Sequence, residues 1–214
     1  MIISYYGKQF FKIQQGDKTI ALNPLSKENS LKKKPSRFGS DLALISTHHK
    51  DFNGVDTVSY NNKEPFVISG PGIYEVDGIT IYGYGQPTHI DGEPYMNTVY
   101  FFEFEGIRFL FAGALENEEI SQEAREHTES VHIMFVPVGG EEVLTPVQAA
   151  KFVKDFTPNV VIPMDYGKDR DPASLDAFLK ELGGEREKNF LDKFVFKKSE
   201  IEAKTDTLVL LSEN

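Results

Sequence analysis

The feature of this sequence that most restricts its fold is a change in rhythm after about residue 115. Before it, short runs rich in Val, Ile, Phe and Tyr are separated by turn pairs such as Gly16-Asp17 and Asp77-Gly78, which is typical of strands joined by hairpins. After it, buried-strand runs at 131–138 and 159–164 alternate with segments of helical spacing. Two packed sheets with helices on the outside accommodate this order, so the sequence predicts an α/β fold.

Two helices are predicted in the second half of the chain. The first begins at Thr145-Pro146-Val147-Gln148, where Thr145 suits the cap, Pro146 the first helical position and Gln148 the closure of a capping box. The second begins at Asp171-Pro172 and ends at Gly183-Gly184. Earlier in the chain, Thr57 to Tyr60 is typical of a strand and the segment 85–97, GQPTHIDGEPYMN, of a loop.

Composition narrows the possible chemistry. The chain has no cysteine, so any metal must bind to His, Asp or Glu side chains. A net charge of −10 repels nucleic acid and anionic membranes, so neither is expected as a partner. Residues 1–13, MIISYYGKQFFKI, do not have the pattern of a signal peptide, and no apolar run is long enough to span a membrane. The expectation is therefore a soluble, cytoplasmic protein.

Five segments in a fixed order carry a resemblance to a known family. They are ALNP (21–24), DLALISTHHKDFNGV (41–55), FVISGPGIYEVDGITI (66–81), NTVYFFEFEGIRFLFAGAL (97–115) and VPVGGEEVLTPVQAA followed by NVVIPMDYG (136–167). Together they resemble the metallo-β-lactamase fold, in its ascorbate-lactonase-like branch of metal-dependent hydrolases. The resemblance implies one domain over residues 1–214, folded as a four-layer αββα sandwich. It also implies one or two Zn²⁺ or Mn²⁺ ions, whose bound water has a pKa of ~7.

The resemblance further implies metal ligands in a His-x-His-x-Asp-His motif, and residues 44–55, LISTHHKDFNGV, take its place here. When the flanking residues are matched, the four motif positions are Thr47, His49, Asp51 and Phe52. A register that begins at His48 leaves still fewer ligands. Under the first register His48 is expected to be a solvent-exposed neighbour.

The other family positions also depart from the pattern. A further His is matched by His89, the bridging Asp by Ala114 and the last His by Asp165. Two supporting positions, commonly His and Asp, are matched by Lys8 and Asn23. Strong ligands are therefore missing at 47, 52 and 114, which affects both metal positions. Lys8 is predicted to pair with Asp51 or Asp165 and to replace the charge of the ion, because a buried carboxylate needs a counter-charge.

Two functions of different classes follow. In the first, the chain has lost the usual di-metal site, carries no metal cofactor and acts by binding or by assembly. In the second, it is a hydrolase of a small ester, lactone or phosphoester, with Zn or Mn on an altered site built from His49, Asp51, His89 and Asp165. The partner in the first case is an unidentified small molecule or protein, and self-association as a homo-oligomer stays open.

Overall fold

The computed structural model describes residues 1–126, 131–166, 171, 173–183 and 188–214. The strands are β1 (Ile2–Tyr5), β2 (Phe11–Gln15), β3 (Lys18–Leu22), β4 (Leu42–Leu44), β5 (Phe66–Ile68), β6 (Gly72–Val76), β7 (Ile79–Ile90), β8 (Glu93–Phe104), β9 (Ile107–Phe111), β10 (Ile133–Pro137), β11 (Val160–Met164), β12 (Phe190–Leu191), β13 (Phe194–Val195), β14 (Thr207–Leu208) and β15 (Leu210–Leu211). The helices are α1 (Val55–Val58), α2 (Gln122–Glu126), α3 (Pro146–Phe156), α4 (Ser174–Glu181) and α5 (Lys198–Glu202).

The strands form two large sheets, as the sequence predicts. The first has the order β13-β1-β2-β3-β4-β5 and the second the order β14-β11-β10-β9-β8-β7-β6, while β12 and β15 form a separate pair. In the first sheet, β3, β4 and β5 run parallel. In the second, β9, β10 and β11 run parallel, and β6 to β9 form antiparallel hairpins. The carboxyl ends of the parallel strands therefore collect at one edge of the molecule.

Acidic residue–glycine pairs close three hairpins of the second sheet. Asp77-Gly78, Asp91-Gly92 and Glu105-Gly106 each have both residues at positive φ, the conformation of a type I′ turn. The predicted turn at Asp77-Gly78 is confirmed, and Gly16-Asp17 closes the β2–β3 hairpin as predicted. The prediction of a loop over 85–97 is wrong. β7 and β8 stay paired as far as Ile90 and Glu93, because the pair at 91–92 supplies a two-residue turn.

The main core lies between the sheets and is largely aromatic. The ring of Phe11 lies 4.7 Å from that of Tyr5 and 4.7 Å from that of Phe135, which joins the two sheets. The hydroxyl of Tyr100, also buried, donates to the carbonyl oxygen of Ile45 across the interface at 2.8 Å. A second apolar cluster covers the outer face of the first sheet, where Val58 of α1 packs on it.

The helices complete the outer layers. α3 and α4 pack on each other beside the second sheet, and α1 lies against the first. The predicted capping box of α3 is confirmed, because Gln148 N donates to Thr145 Oγ1 at 3.3 Å and Thr145 N donates to Gln148 Oε1 at 3.1 Å. Pro172 and Gly184, which belong to the predicted ends of the second helix, lie outside the described residues.

The strand predicted at Thr57 to Tyr60 is wrong, because residues 55–58 form the short helix α1. The hydroxyl of Thr57 donates to the carbonyl oxygen of Gly54 at 2.6 Å, and Gly54 N donates to Pro24 O at 2.7 Å. These local and tertiary hydrogen bonds outweigh the strand propensity of the β-branched residues. Within the part of the chain that the structure describes, no helix has the length and apolarity to cross a membrane.

Candidate functional site

The predicted site residues come from segments that follow several different strands. Lys8 follows β1, Asn23 follows β3, residues 47–52 follow β4, Ala114 follows β9 and Asp165 follows β11. These strands run in one direction within their sheets, so their following segments meet at one edge. Strand ends that open into loops are where α/β folds place their chemistry, because loops there tolerate many different side chains.

An ion pair between Lys8 and Asp51 lies at the centre of this edge, and the predicted pairing of Lys8 is confirmed. It is deeply buried, with 9% of the Lys8 side chain and 1% of the Asp51 side chain exposed. The ammonium also lies over the ring of Phe52, 5.0 Å from its centroid. Lys8 thus meets a carboxylate on one side and an aromatic face on another.

Ser30 completes the contacts of the Asp51 carboxylate. Its backbone N donates to Asp51 Oδ1 at 2.7 Å, and its hydroxyl donates to Oδ2, the oxygen that also accepts from Lys8. Burial alone would raise the pKa of Asp51, but the hydrogen bonds from Lys8 and Ser30 outweigh it and lower the pKa below its ordinary value. Both oxygens of Asp51 are therefore occupied by groups of the chain itself. Ser30 was not predicted, because nothing in the polar segment 23–40 marks one serine over another.

Phe52 is the centre of a small apolar cluster at the same edge. Only 1% of the residue is exposed, and it packs with Ile90, Ala114 and Val143. Tyr95 covers the cluster from one side. Two of the positions where the resemblance implies metal ligands, 52 and 114, thus belong to the same buried apolar cluster. A hydrated or coordinated ion would be costly to place there.

His49 is buried beside this cluster. Its ring centroid lies 5.5 Å from that of Tyr95 and 6.0 Å from that of Phe52. Its Nε2 lies 3.5 Å from Asp91 Oδ2 and its Nδ1 3.9 Å from Asp51 Oδ2. Burial lowers the pKa of His49, so the neutral imidazole is favoured.

His48 is exposed, as the sequence predicts, and its Nε2 donates to the carbonyl oxygen of Ser69 at 2.8 Å.

His89 does not join these residues, which corrects the prediction that it lies in the cleft. It belongs to β7, in which Thr88 and Ile90 are buried and His89 is 58% exposed. Successive side chains of a strand point to opposite faces, so His89 faces away from the Phe52 cluster. Its backbone N and its Nδ1 both lie 3.0 Å from Glu116 Oε2. The error follows from the wrong prediction of a loop over this segment.

Asp165 is buried at the end of a chain of polar side chains. Gln9 Nε2 donates to Asp165 Oδ2 at 3.1 Å, and Asn23 Nδ2 donates to Gln9 Oε1 at 2.9 Å. Asn23 Nδ2 also donates to the hydroxyl of Ser46 at 2.8 Å. Three ordinary amide and hydroxyl groups thereby connect Asp165 to the segment that follows β4. Gln9 was missed by sequence reasoning, although a glutamine beside two phenylalanines is an unusual position for a polar side chain.

Thr47 and Ala114 meet at Asn97, a buried residue of β8. Asn97 Oδ1 accepts from Ala114 N at 2.8 Å and from the Thr47 hydroxyl at 3.4 Å, and Asn97 Nδ2 donates to Ala112 O at 3.0 Å. The Thr47 hydroxyl is thus oriented toward an amide. Asn97 was also missed, although it begins one of the segments that carry the family resemblance.

Three of the site residues adopt a left-handed backbone conformation. The φ angles are 51° for Lys8, 41° for Asn23 and 59° for Asp165. This region is uncommon for residues other than glycine, and such conformations collect at functional sites that hold them in place. The strand-end geometry of the site is therefore maintained here by tertiary contacts.

A cavity of about 130 Å³ opens beside the ion pair. Its lining residues carry three carboxylates besides the Lys8 ammonium and are Lys8, Ser30, Leu31, Asp91, Glu142, Asp165 and Tyr166. A larger cavity of about 620 Å³ lies at the other end of the second sheet, beside the turns at 77–78 and 105–106, and contains none of the predicted site residues. The smaller cavity is therefore the candidate site.

A family model for the β-lactamase superfamily domain matches residues 2–165. The chain belongs to this superfamily. It is 24% identical to a UPF0173 metal-dependent hydrolase of Methanopyrus kandleri over 86% of this chain and 93% of that protein. It is 26% identical to a UPF0173 metal-dependent hydrolase of Thermococcus onnurineus over 86% of this chain and 92% of that protein.

The fold prediction is confirmed by solved structures as well. A proposed Zn-dependent hydrolase of the metallo-β-lactamase superfamily from Thermotoga maritima superposes with a TM-score of 0.73 at 24% identity, covering 98% of this chain and 97% of that one. The mixed α/β sandwich of two sheets with outer helices is the metallo-β-lactamase fold.

The residues present do not fit the paired metal ions that the superfamily implies. Within the described ranges, no three or more His, Asp or Glu side chains are grouped so as to hold an ion. The donor chemistry explains this result. Position 52 carries a phenyl ring and position 114 a methyl group, His89 faces outward, and Asp51 already accepts from Lys8 and Ser30.

Proposed function

We propose that this member of the β-lactamase superfamily acts by binding a small molecule at the strand-end edge, without two-metal hydrolysis. The observation that carries the proposal is the occupation of Asp51. Its two oxygens accept from Lys8 and Ser30, so the carboxylate has a cation and hydrogen-bond donors without any ion from solution. A metal ion that used Asp51 as a ligand would have to break the buried ion pair between Asp51 and Lys8. Breaking such a pair costs roughly 3–5 kcal/mol of stability.

The charges of the small cavity indicate which ligands it accepts. Asp91, Glu142 and Asp165 line it together with Lys8, and the ammonium of Lys8 is already paired with Asp51. The lining therefore favours neutral or cationic molecules over phosphates and carboxylates. At about 130 Å³ the cavity has room for a small molecule or for one group of a larger one.

Elemental analysis and ligand binding test the proposal together. Protein produced in medium supplemented with zinc and manganese, and purified without chelator, is expected to carry far less than one equivalent of metal per chain. Thermal-shift measurements then compare small amines and amides with carboxylates of matched size. Stabilisation by the cationic or neutral member of each pair supports the proposal, and two equivalents of tightly held metal contradict it.

The second candidate is a hydrolase of a small ester, lactone or phosphoester with an altered one-metal site. One observation favours it, because His49 lies between two carboxylates, 3.9 Å from Asp51 and 3.5 Å from Asp91. The relatives' names also describe metal-dependent hydrolases. Close to one equivalent of zinc or manganese per chain, together with metal-dependent turnover of a phosphoester, lactone or ester, is the result that selects this candidate. His49→Ala should then abolish both.

A further inference from the structure

We infer that the chain contains a binding site for an alkylammonium ion, built from Asp51, Ser30 and Phe52, and fills it with its own Lys8. The inference rests on the proposed function in one respect, that no metal shares Asp51. It goes further by assigning a chemical class of ligand to this position. When the lysine side chain is removed, the site should bind a free primary amine.

The contacts around the ammonium are those of a cation site. Asp51 Oδ2 accepts its hydrogen bond, and the face of the Phe52 ring lies 5.0 Å from the nitrogen. A carboxylate supplies opposite charge, and an aromatic face attracts a cation through its quadrupole. Both partners are about 1% exposed, so water screens neither interaction well.

The backbone holds Lys8 toward this site. Lys8 has a φ of 51°, and its carbonyl oxygen accepts from Asp165 N at 2.6 Å and from the Tyr5 hydroxyl at 3.0 Å. Gly7 before it has a φ of 91°, and a Cβ added there would lie 2.6 Å from Glu213 Oε1. An unfavourable conformation that is fixed by several tertiary contacts indicates a constrained, functional position.

The segment that carries Ser30 is anchored on both sides of the site. Asn29 Nδ2 donates to the carbonyl oxygens of Ser26 and Lys33 at 2.7 and 2.8 Å, and Lys33 Nζ donates to Glu213 Oε1 at 2.9 Å. Ser30 is thereby held above Asp51 without depending on Lys8. The acceptor and the ring belong to separate segments from Lys8, so they should keep their arrangement when the lysine side chain is shortened.

The ion pair between Lys63 and Asp41 is of a different kind. Lys63 and Asp41 form a pair with 43% and 28% of their side chains exposed, and such exposed pairs contribute little to stability. Breaking a buried pair leaves an uncompensated charge. Lys8→Ala is therefore expected to lower the melting temperature by about 6–20 °C, whereas Lys63→Ala should lower it by no more than about 4 °C.

Chemical rescue tests the inference directly. The Lys8→Ala protein is heated in propylammonium chloride, whose ion matches the atoms that the substitution removes, and in sodium chloride at equal concentration. Saturable recovery of the melting temperature in propylammonium alone is the expected result. Wild-type protein and Lys12→Ala are the controls, because the Lys12 ammonium also lies over a ring, that of Phe38 at 5.3 Å. Equal melting temperatures in both salts would overturn the inference.

A second measurement applies if Lys8→Ala does not fold. Lys8→Met removes the ammonium but keeps a four-atom side chain, and the double variant Lys8→Met with Asp51→Asn also removes the charge of the unpaired carboxylate. The double variant should be more stable than Lys8→Met, and an equal or lower stability would contradict a charge pair. Elemental analysis of wild type separates the two proposals. Bound metal together with amine rescue overturns only the proposed function, and metal-free protein without rescue overturns only this inference.

Discussion

Replacing Phe52 by alanine tests whether this edge of the molecule is a closed apolar cluster. The residue is 1% exposed and packs with Ile90, Ala114 and Val143. Loss of the burial of a phenyl ring costs about 2–3 kcal/mol. The cavity left between these neighbours adds to this cost, for a total of about 3–5 kcal/mol. In a chain of this length that corresponds to a fall in melting temperature of roughly 6–20 °C.

Urea denaturation followed by circular dichroism measures the free energy of unfolding of wild type and Phe52→Ala. Phe66→Ala is the matched control, because Phe66 is 55% exposed on the outer strand of the first sheet. Its loss should stay near 0.5 kcal/mol, as for most surface positions. A loss below about 1 kcal/mol for Phe52→Ala would refute the reasoning. Such a small loss would show that the Phe52 ring is not packed in the cluster and that position 52 tolerates other side chains.

Three other substitutions test different parts of the structure. Asn97→Ala removes the side-chain amide that hydrogen-bonds with Ala114 N and Ala112 O. The substitution should lower the free energy of unfolding, measured in urea, by about 2–4 kcal/mol, and a loss below about 1 kcal/mol would show that water replaces the amide. Burial and the nearby Arg108 lower the pKa of His132, and its other charged neighbours are Glu202, Lys198 and Glu103. Because His132 binds a proton more tightly in the unfolded chain than in the folded one, the stability of the fold should decrease as the pH drops below about 6.5. His132→Gln should flatten that slope in thermal melts at pH 5 to 8, and an unchanged slope would exclude this residue as its source. A variant with the family's ligands at four positions carries Thr47→His, Phe52→His, Ala114→Asp and Asp165→His. Elemental analysis should find bound zinc in this variant when Lys8→Ala is also included, and much less zinc when Lys8 is kept. Equal zinc in both proteins would show that Lys8 does not compete with the ion.

Features that depend on neighbours along the chain could be predicted well. The capping box at Thr145 and Gln148 and the turn at Asp77-Gly78 are set within a few residues, so their sequence patterns suffice. The pairing of Lys8 could also be predicted, although the residues are far apart in the chain. A buried carboxylate requires a cation, and the family positions left few candidates for it.

Features that depend on tertiary pairing were missed or wrong. The face on which His89 lies depends on how far β7 and β8 stay paired, and one residue of difference reverses the direction of a strand side chain. Ser30, Gln9 and Asn97 belong to the site only because distant strands end at the same edge, and a polar residue of that kind has no distinctive pattern of its own.

The amino-acid order by itself determined the sandwich of two sheets, the capped start of α3, and the Thr, Phe and Ala side chains at positions 47, 52 and 114, where the resemblance implies metal ligands. Only the tertiary structure decided that Lys8 and Ser30 donate to Asp51 and that the Lys8 ammonium lies over the Phe52 ring, while His89 of the β7–β8 hairpin is exposed. The physical reason is the separation along the chain between the groups that form each feature. Turns and caps form from hydrogen bonds between near neighbours, whereas a buried charge is stabilised by whichever distant groups the packed strands bring within a few ångströms.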